Sequence, residues 1–222
     1  MIEHHVAQRT PAWYALRCGR VSASQAEHVL AKVKGSGEAA GRRDLRMLLA
    51  RERLSGLPDD GPTFVSADMQ RGMDLEPEAL AALELSGLLP GAIRAVGYLT
   101  HDTLQVGYSP DGVCGPGYDV LVETKCPRMA THLDYLDAPT TIPARYVAQL
   151  THALWLTGAS VIHFAAYCPA FTRAPLFHLP VTPDQVDLLA YETALRSFLD
   201  EADTLVTHLN AKYPVKESVY AV

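Results

Sequence analysis

Apolar residues at helical spacing first stand out over residues 40–56, where Leu45, Leu48, Leu49 and Leu54 share a face until Gly56 and the loop LPDDGP end the run. Before it, Trp13 to Arg20 predicts a short helix with a glycine stop, and Ser22-Ala-Ser24 supplies a cap for a second helix, SASQAEHVLAKVK. Gly35-Ser-Gly37 breaks the chain. A further helical pattern covers about 66–86 with Pro77 inside it, which predicts a kink or a fresh start near Asp74 to Glu76, since proline cannot donate to the carbonyl one turn back. After Gly87 the period changes to alternation. AIRAVGYLT, TLQVGYS and YDVLVETKC are punctuated by HD, SPDG and GPG, the pattern of an antiparallel meander. Helices over about 128–137 and 143–157, strands near 160–168 and 175–181, and an amphipathic helix from behind Thr182-Pro183 to about 210 complete the chain. The expectation is one α/β domain spanning 1–222, its helices flanking a mixed, mainly meander sheet.

Composition excludes disorder, with 48% hydrophobic and 20% charged residues in 222. Met1 to Thr10 is polar and carries no secretory signal, which predicts a cytoplasmic protein. Tyr146 to Thr172 holds no Asp, Glu, Lys or Arg, but Gln149, His152 and Thr157-Gly158 interrupt it, so a buried helix followed by a buried strand is expected, not a membrane span. Cys18, Cys114, Cys126 and Cys168 are scattered without a paired spacing, so reduced thiols are expected and no zinc site. His28, His132, His152 and His163 likewise read as structural. The net charge of -6 conceals an asymmetry: residues 1–53 hold ten Lys and Arg against five Asp and Glu. On charge alone a solvated basic helix face is the favoured reading, with phosphate tracking along a nucleic acid as the alternative the asymmetry hints at.

The chemistry is concentrated in GYSPDGVCGPGYDVLVETKCP, residues 107–127. Pro110 forces Ser109 extended and leaves Asp111 at a strand end, in a turn that Gly112 permits. Glu123 and Lys125, two apart on the next strand, project from the same face. If the strands are neighbours, Asp111 and Glu123 converge, and two carboxylates repel unless a cation lies between them. Hard oxygen ligands select Mg²⁺ or Mn²⁺ over zinc, and a lysine there orients or deprotonates an attacking water. Taken singly, SPDG is an ordinary turn and E-x-K an ordinary surface ion pair.

In this order and spacing, Pro110-Asp111 followed by Glu123-Thr124-Lys125 resembles the PD-(D/E)xK nuclease superfamily. The flanks sharpen the likeness: Trp13, Arg17, Gly19, Ser22, Ala23 and Ser24; Met69, Gly72 and Glu76; then Ala148, Gln149, Trp155, Thr157 and Gly158. Across roughly residues 9–168 the chain is similar to the phage lambda exonuclease family, the YqaJ-type viral recombinases. The resemblance implies a restriction-endonuclease-like fold and a Mg²⁺-dependent exonuclease, with two ions per site and Mn²⁺ as a substitute. Such an enzyme digests the 5′-ended strand of linear double-stranded DNA to mononucleotides, leaving a 3′ overhang. It also implies a homotrimeric ring, a single-strand annealing protein as partner, and a phage or prophage source.

By the same resemblance Asp111, Glu123, the Thr124 backbone carbonyl and Glu76 hold metal, Lys125 and Gln149 serve catalysis, and Arg17, Ser24 and Ser109 hold the 5′ phosphate. Met69 lies on the helical face of Glu76, seven residues earlier, and suits either an apolar wedge between terminal bases or the core. Thr124 stands where the family carries a hydrophobic residue, and Thr151 where a second glutamine often follows. The competing readings are a restriction- or repair-type endonuclease on the same superfold and a catalytically silent DNA-end-binding module.

Overall fold

The computed structural model describes residues 1–33, 37–59 and 66–214. Its strands form two sheets. The first joins β1 (Ile2–His4), β2 (Val21–Ser22), β4 (Tyr98–Thr100) and β5 (Val106–Tyr108) in the order β1-β4-β5-β2. The second joins β3 (Ile93–Arg94), β6 (Gly112–Cys114), β7 (Val120–Lys125), β8 (Val161–Tyr167) and β9 (Leu176–Val181) in chain order. The meander expected over residues 92–125 is thus shared between sheets: β4 and β5 pair with each other, while β3, β6 and β7 form the antiparallel half of the second sheet. β7 and β8 run parallel, with Glu123 opposite Phe164, and the crossover carries α5 (Met129–Asp137) and α6 (Ala144–Thr157). The strand β1 falls in the segment that read only as polar; it pairs with β4 through Glu3 and Leu99.

Two helices sandwich β7. Alternation along the strand sends Val122 to a small apolar cluster with Leu83, Cys114 and Ala165, covered by α4 (Ala67–Leu85). Leu121 points the other way, into the main core with α6, whose Leu150, Ala153 and Leu154 are fully buried. α6 ends where Gly158 takes the left-handed conformation at φ +68°. Against it lie the short α2 (Ala26–Leu30) and the long α7 (Leu188–Lys212), and α3 (Ala40–Ser55) packs on α7.

Three local expectations change. α4 is one continuous helix with Pro77 inside it, so packing of Leu83 on the sheet outweighs the hydrogen bond that proline forfeits. The second predicted helix is shorter: a 3₁₀ turn over Ala23–Gln25 leads into α2, which stops at Leu30. Ser22 is its cap, its N–H donating to Gln25 Oε1 at 3.0 Å, which releases Ser24 from that duty. The third change concerns α3, where Arg42 pairs with Glu38 and Glu201, Arg46 with Glu38, Arg51 with Asp59 and Arg53 with Asp203, while Arg43 forms no ion pair among the described residues. All four cysteines are free, and among the described residues no helix is long and apolar enough to cross a membrane.

Candidate functional site

Asp111 is the residue before β6, and its placement follows from register. Gly112 opposes Val122, so Asp111 stands at the level of Glu123, where β6 has ended and β7 continues. A Cβ at residue 112 would run into the Ile93 side chain, so only glycine lets β3 close over the strand start. Gln8 fixes the turn from behind, its Nε2 donating to the carbonyls of Val96 and Pro110 at 3.1 and 3.0 Å. Asp111 Oδ2 then accepts the Thr124 backbone N–H at 2.7 Å and the Thr124 hydroxyl at 3.0 Å.

Glu123 is 2% exposed. Its Oε2 accepts from the buried Tyr108 hydroxyl at 2.9 Å, and its Oε1 from both Lys125 Nζ and Gln149 Nε2 at 2.5 Å. Burial pushes the Glu123 carboxyl up to about 7; the Lys125 ammonium opposes that rise and Asp111 adds to it. Burial works against the Lys125 ammonium too, but Glu123 and Asp111 outweigh it and hold the lysine charged well above its ordinary range. Sequence gave no sign of Tyr108 as a Glu123 donor: it arrives from β5, in the other sheet.

The donor set suits a hard divalent cation. The N–H and C=O of one strand residue point to the same side, so the Thr124 carbonyl faces the edge its N–H shares with Asp111, beyond the end of the β6 ladder. Carboxylate and carbonyl oxygens with no nitrogen or sulfur among them are the ligands that Mg²⁺ and Mn²⁺ take. Glu76 is not drawn into this group. Its Oε2 pairs with Arg9 at 2.6 Å, although the helix that bears it is tied to the exit of β7 by Arg71, which donates to the Cys126 carbonyl at 2.6 Å. Among the described residues no three His, Cys, Asp or Glu side chains stand close enough together to hold a metal ion. Met69, 57% exposed, is not a core residue.

The residues expected to hold a phosphate form a linked chain. Arg17 lies over the Trp13 ring at 4.2 Å and donates to Ser22 Oγ at 3.1 Å, and Ser22 Oγ meets Ser24 Oγ at 3.2 Å. Burial lowers the Arg17 guanidinium from its ordinary value. Ser109 is differently employed: its hydroxyl accepts from Trp13 Nε1 at 2.8 Å and donates to the Gly97 carbonyl at 2.9 Å. It holds the indole on which Arg17 stacks. Between Ser24 and Gln149 opens a cleft of about 270 Å³, lined also by Ala23, Glu27, Arg145 and Tyr146. Arg145 was not among the residues singled out by sequence, because no motif contains it. Of the histidines read as structural, His163 is paired across strands with His178, Nδ1 to Nε2 at 2.8 Å with stacked rings.

The chain is similar to an alkaline exonuclease, LHK-Exo, from Laribacter hongkongensis, at 28% identity and a TM-score of 0.78 over 91% of this chain and 97% of that one. A structure of LHK-Exo in complex with dAMP matches equally, with a TM-score of 0.78, 29% identity, and the same coverage of 91% and 97%. A phage related exonuclease from Haemophilus somnus 129PT shares the fold, with a TM-score of 0.60 at 12% identity over 86% of this chain and 96% of that one. No curated protein sequence matches the chain. The model of the YqaJ-like viral recombinase domain matches residues 12–160, a span that holds Asp111, the Glu123-Thr124-Lys125 run, Gln149 and the Arg17–Ser24 chain, so the protein belongs to the YqaJ-like viral recombinase family.

Proposed function

We propose that this chain is a metal-dependent nuclease that hydrolyses the 5′-ended strand of linear double-stranded DNA to mononucleotides, leaving 3′ single-stranded overhangs for recombination by strand annealing. The observation that carries it is the junction of Asp111 with the Glu123-Thr124-Lys125 run at the free end of β7. The likeness to LHK-Exo, whose complex holds dAMP, supports a mononucleotide product. In this reading Asp111, Glu123 and the Thr124 carbonyl hold Mg²⁺, in two ions per site with Mn²⁺ as a substitute, and Glu76 joins them on release from Arg9. The bound metal supplies Lewis acidity at phosphorus and lowers the pKa of water. Lys125, kept charged by Glu123, orients the attacking water and offsets developing phosphate charge. Gln149 and Tyr108 fix the Glu123 carboxylate in one orientation. Arg17 and Ser24 favour a 5′-phosphorylated end, because a guanidinium and a hydroxyl give charge-assisted bonds to phosphate. Exposed Met69 is free to wedge between terminal bases. A homotrimeric ring around the duplex, a single-strand annealing partner and action in the host cytoplasm complete the reading.

The test is linear duplex DNA 5′-phosphorylated on one strand only, incubated with wild type and Lys125→Ala in Mg²⁺ and in EDTA. Loss of the phosphorylated strand by wild type alone, and only with metal, is the expected result. Cleavage of closed circular DNA would make it an endonuclease, and DNA left intact throughout would leave an end-binding module.

A further inference from the structure

Arg145 is an exposed cation in the first turn of α6, a position the helix dipole disfavours, and no acidic residue shares that turn. Among the described residues it forms no ion pair. Its guanidinium lies over the Tyr146 ring at 5.1 Å, and the Lys125 ammonium lies over the same ring at 5.5 Å. Arg145 and the lysine of the candidate active site therefore share one aromatic ring. The cleft that Arg145 lines has Gln149 on its wall, bonded to Glu123, and on the other side Ser24, whose hydroxyl is joined through Ser22 to Arg17. An anion entering it touches the phosphate-end residues and the hydrolytic residues together.

We infer that Arg145 is a specificity-determining residue that holds the 5′-terminal phosphate of the DNA strand in the cleft between Ser24 and Gln149. The inference rests on the nuclease reading above and adds to it a residue that no motif marks. A terminal phosphate monoester carries more charge than an internal diester and presents three free oxygens, so the planar guanidinium fork gains most at a phosphorylated end. Glu27, on the same cleft wall, opposes that anion and sets a ceiling on its affinity.

The test uses the full chain and short duplexes ending in 5′ phosphate or 5′ hydroxyl, with binding read by fluorescence anisotropy in EDTA, where no hydrolysis intervenes. Wild type prefers the phosphorylated end; Arg145→Gln reduces that preference about tenfold, as for loss of a charged hydrogen bond. Arg145→Lys retains part of it, and Glu27→Gln increases it. Thermal melts of the variants check that each is folded. A folded Arg145→Gln with the wild-type preference, or a wild type indifferent to the phosphate, overturns the inference. Nucleotide release by wild type in Mg²⁺ on the same duplexes judges the nuclease reading separately: its absence sinks that reading, while the binding ratio still decides the role of Arg145.

Discussion

At Glu123 three donors converge on one buried carboxylate, and the hydrogen bonds divide between fixing it and fixing its neighbour Asp111. Asp111→Asn retains an oxygen that accepts the Thr124 N–H but removes a charge. The expected outcome is a fall of roughly 100-fold or more in nucleotide release, with a melting temperature close to wild type. Ser109→Ala is expected to behave in the opposite way. It strips the Trp13 indole N–H of its acceptor and the Gly97 carbonyl of its donor, so urea denaturation should show a loss of about 1–3 kcal/mol. Unchanged stability would mean that the hydroxyl is free for substrate. Asp111, Glu123 and Lys125 were legible in the sequence because strand period and a proline turn act over a few residues. Tyr108 on Glu123, Arg9 on Glu76 and Ser109 under Trp13 were not, since each pairing spans between 15 and 96 residues and depends on how the two sheets meet.

Element by element, the helices were read closely where capping and period agree: the predicted 128–137 and 143–157 became Met129–Asp137 and Ala144–Thr157. The strands near 160–168 and 175–181 held as well, but the division of the meander strands between two sheets did not follow, because alternation reports burial on a face and not which neighbour is paired. Helix α6 ties β5 of the first sheet to α7 through His152. Its Nε2 donates to the Gly107 carbonyl of β5 at 3.1 Å, which leaves Nδ1 to accept from the Tyr191 hydroxyl of α7 at 2.5 Å. That neutral chain sets a pH dependence. Burial pushes the His152 imidazole down to about 4, from an ordinary 6.5. As pH falls from 6.5 to 4 the unfolded chain takes up a proton that the folded one refuses, so stability present above 6.5 is lost across this window. The loss reaches roughly 3 kcal/mol from this group. Stability curves for wild type and His152→Gln should diverge between pH 7 and pH 4, with the variant flatter; parallel curves would show that the ring is protonated without cost.

For the whole molecule, the charge asymmetry of the sequence has a structural destination. Helix α3 and the acidic C-terminal helix α7 fold against one another, with Arg42 bidentate to Glu201 at 2.6 and 2.9 Å and Arg53 on Asp203 at 2.6 Å, while Arg46 closes on Glu38, just ahead of its own helix, at 2.6 Å. Arg53 also donates to the Gly19 carbonyl at 2.8 Å, which ties α3 to the turn after α1 (Pro11–Arg17) and so to Arg17. Charge alone favoured a solvated helix face over a phosphate-tracking one and named no carboxylate partners, because a count of charges along the chain is blind to a partner some 150 residues away. A guanidinium already paired with carboxylate releases few counterions on meeting DNA, whereas each free one lost should lower the salt slope by about 1. The double variant Arg42→Gln, Arg46→Gln is therefore expected to melt at a lower temperature, with its dependence of duplex binding on salt concentration unchanged. Arg145→Gln is expected to do the reverse, keeping the melting temperature and reducing the slope. If the double variant instead lost about two units of slope, the α3 arginines would exchange their intramolecular carboxylates for phosphates on binding, and the acidic helix would act as an internal competitor for DNA.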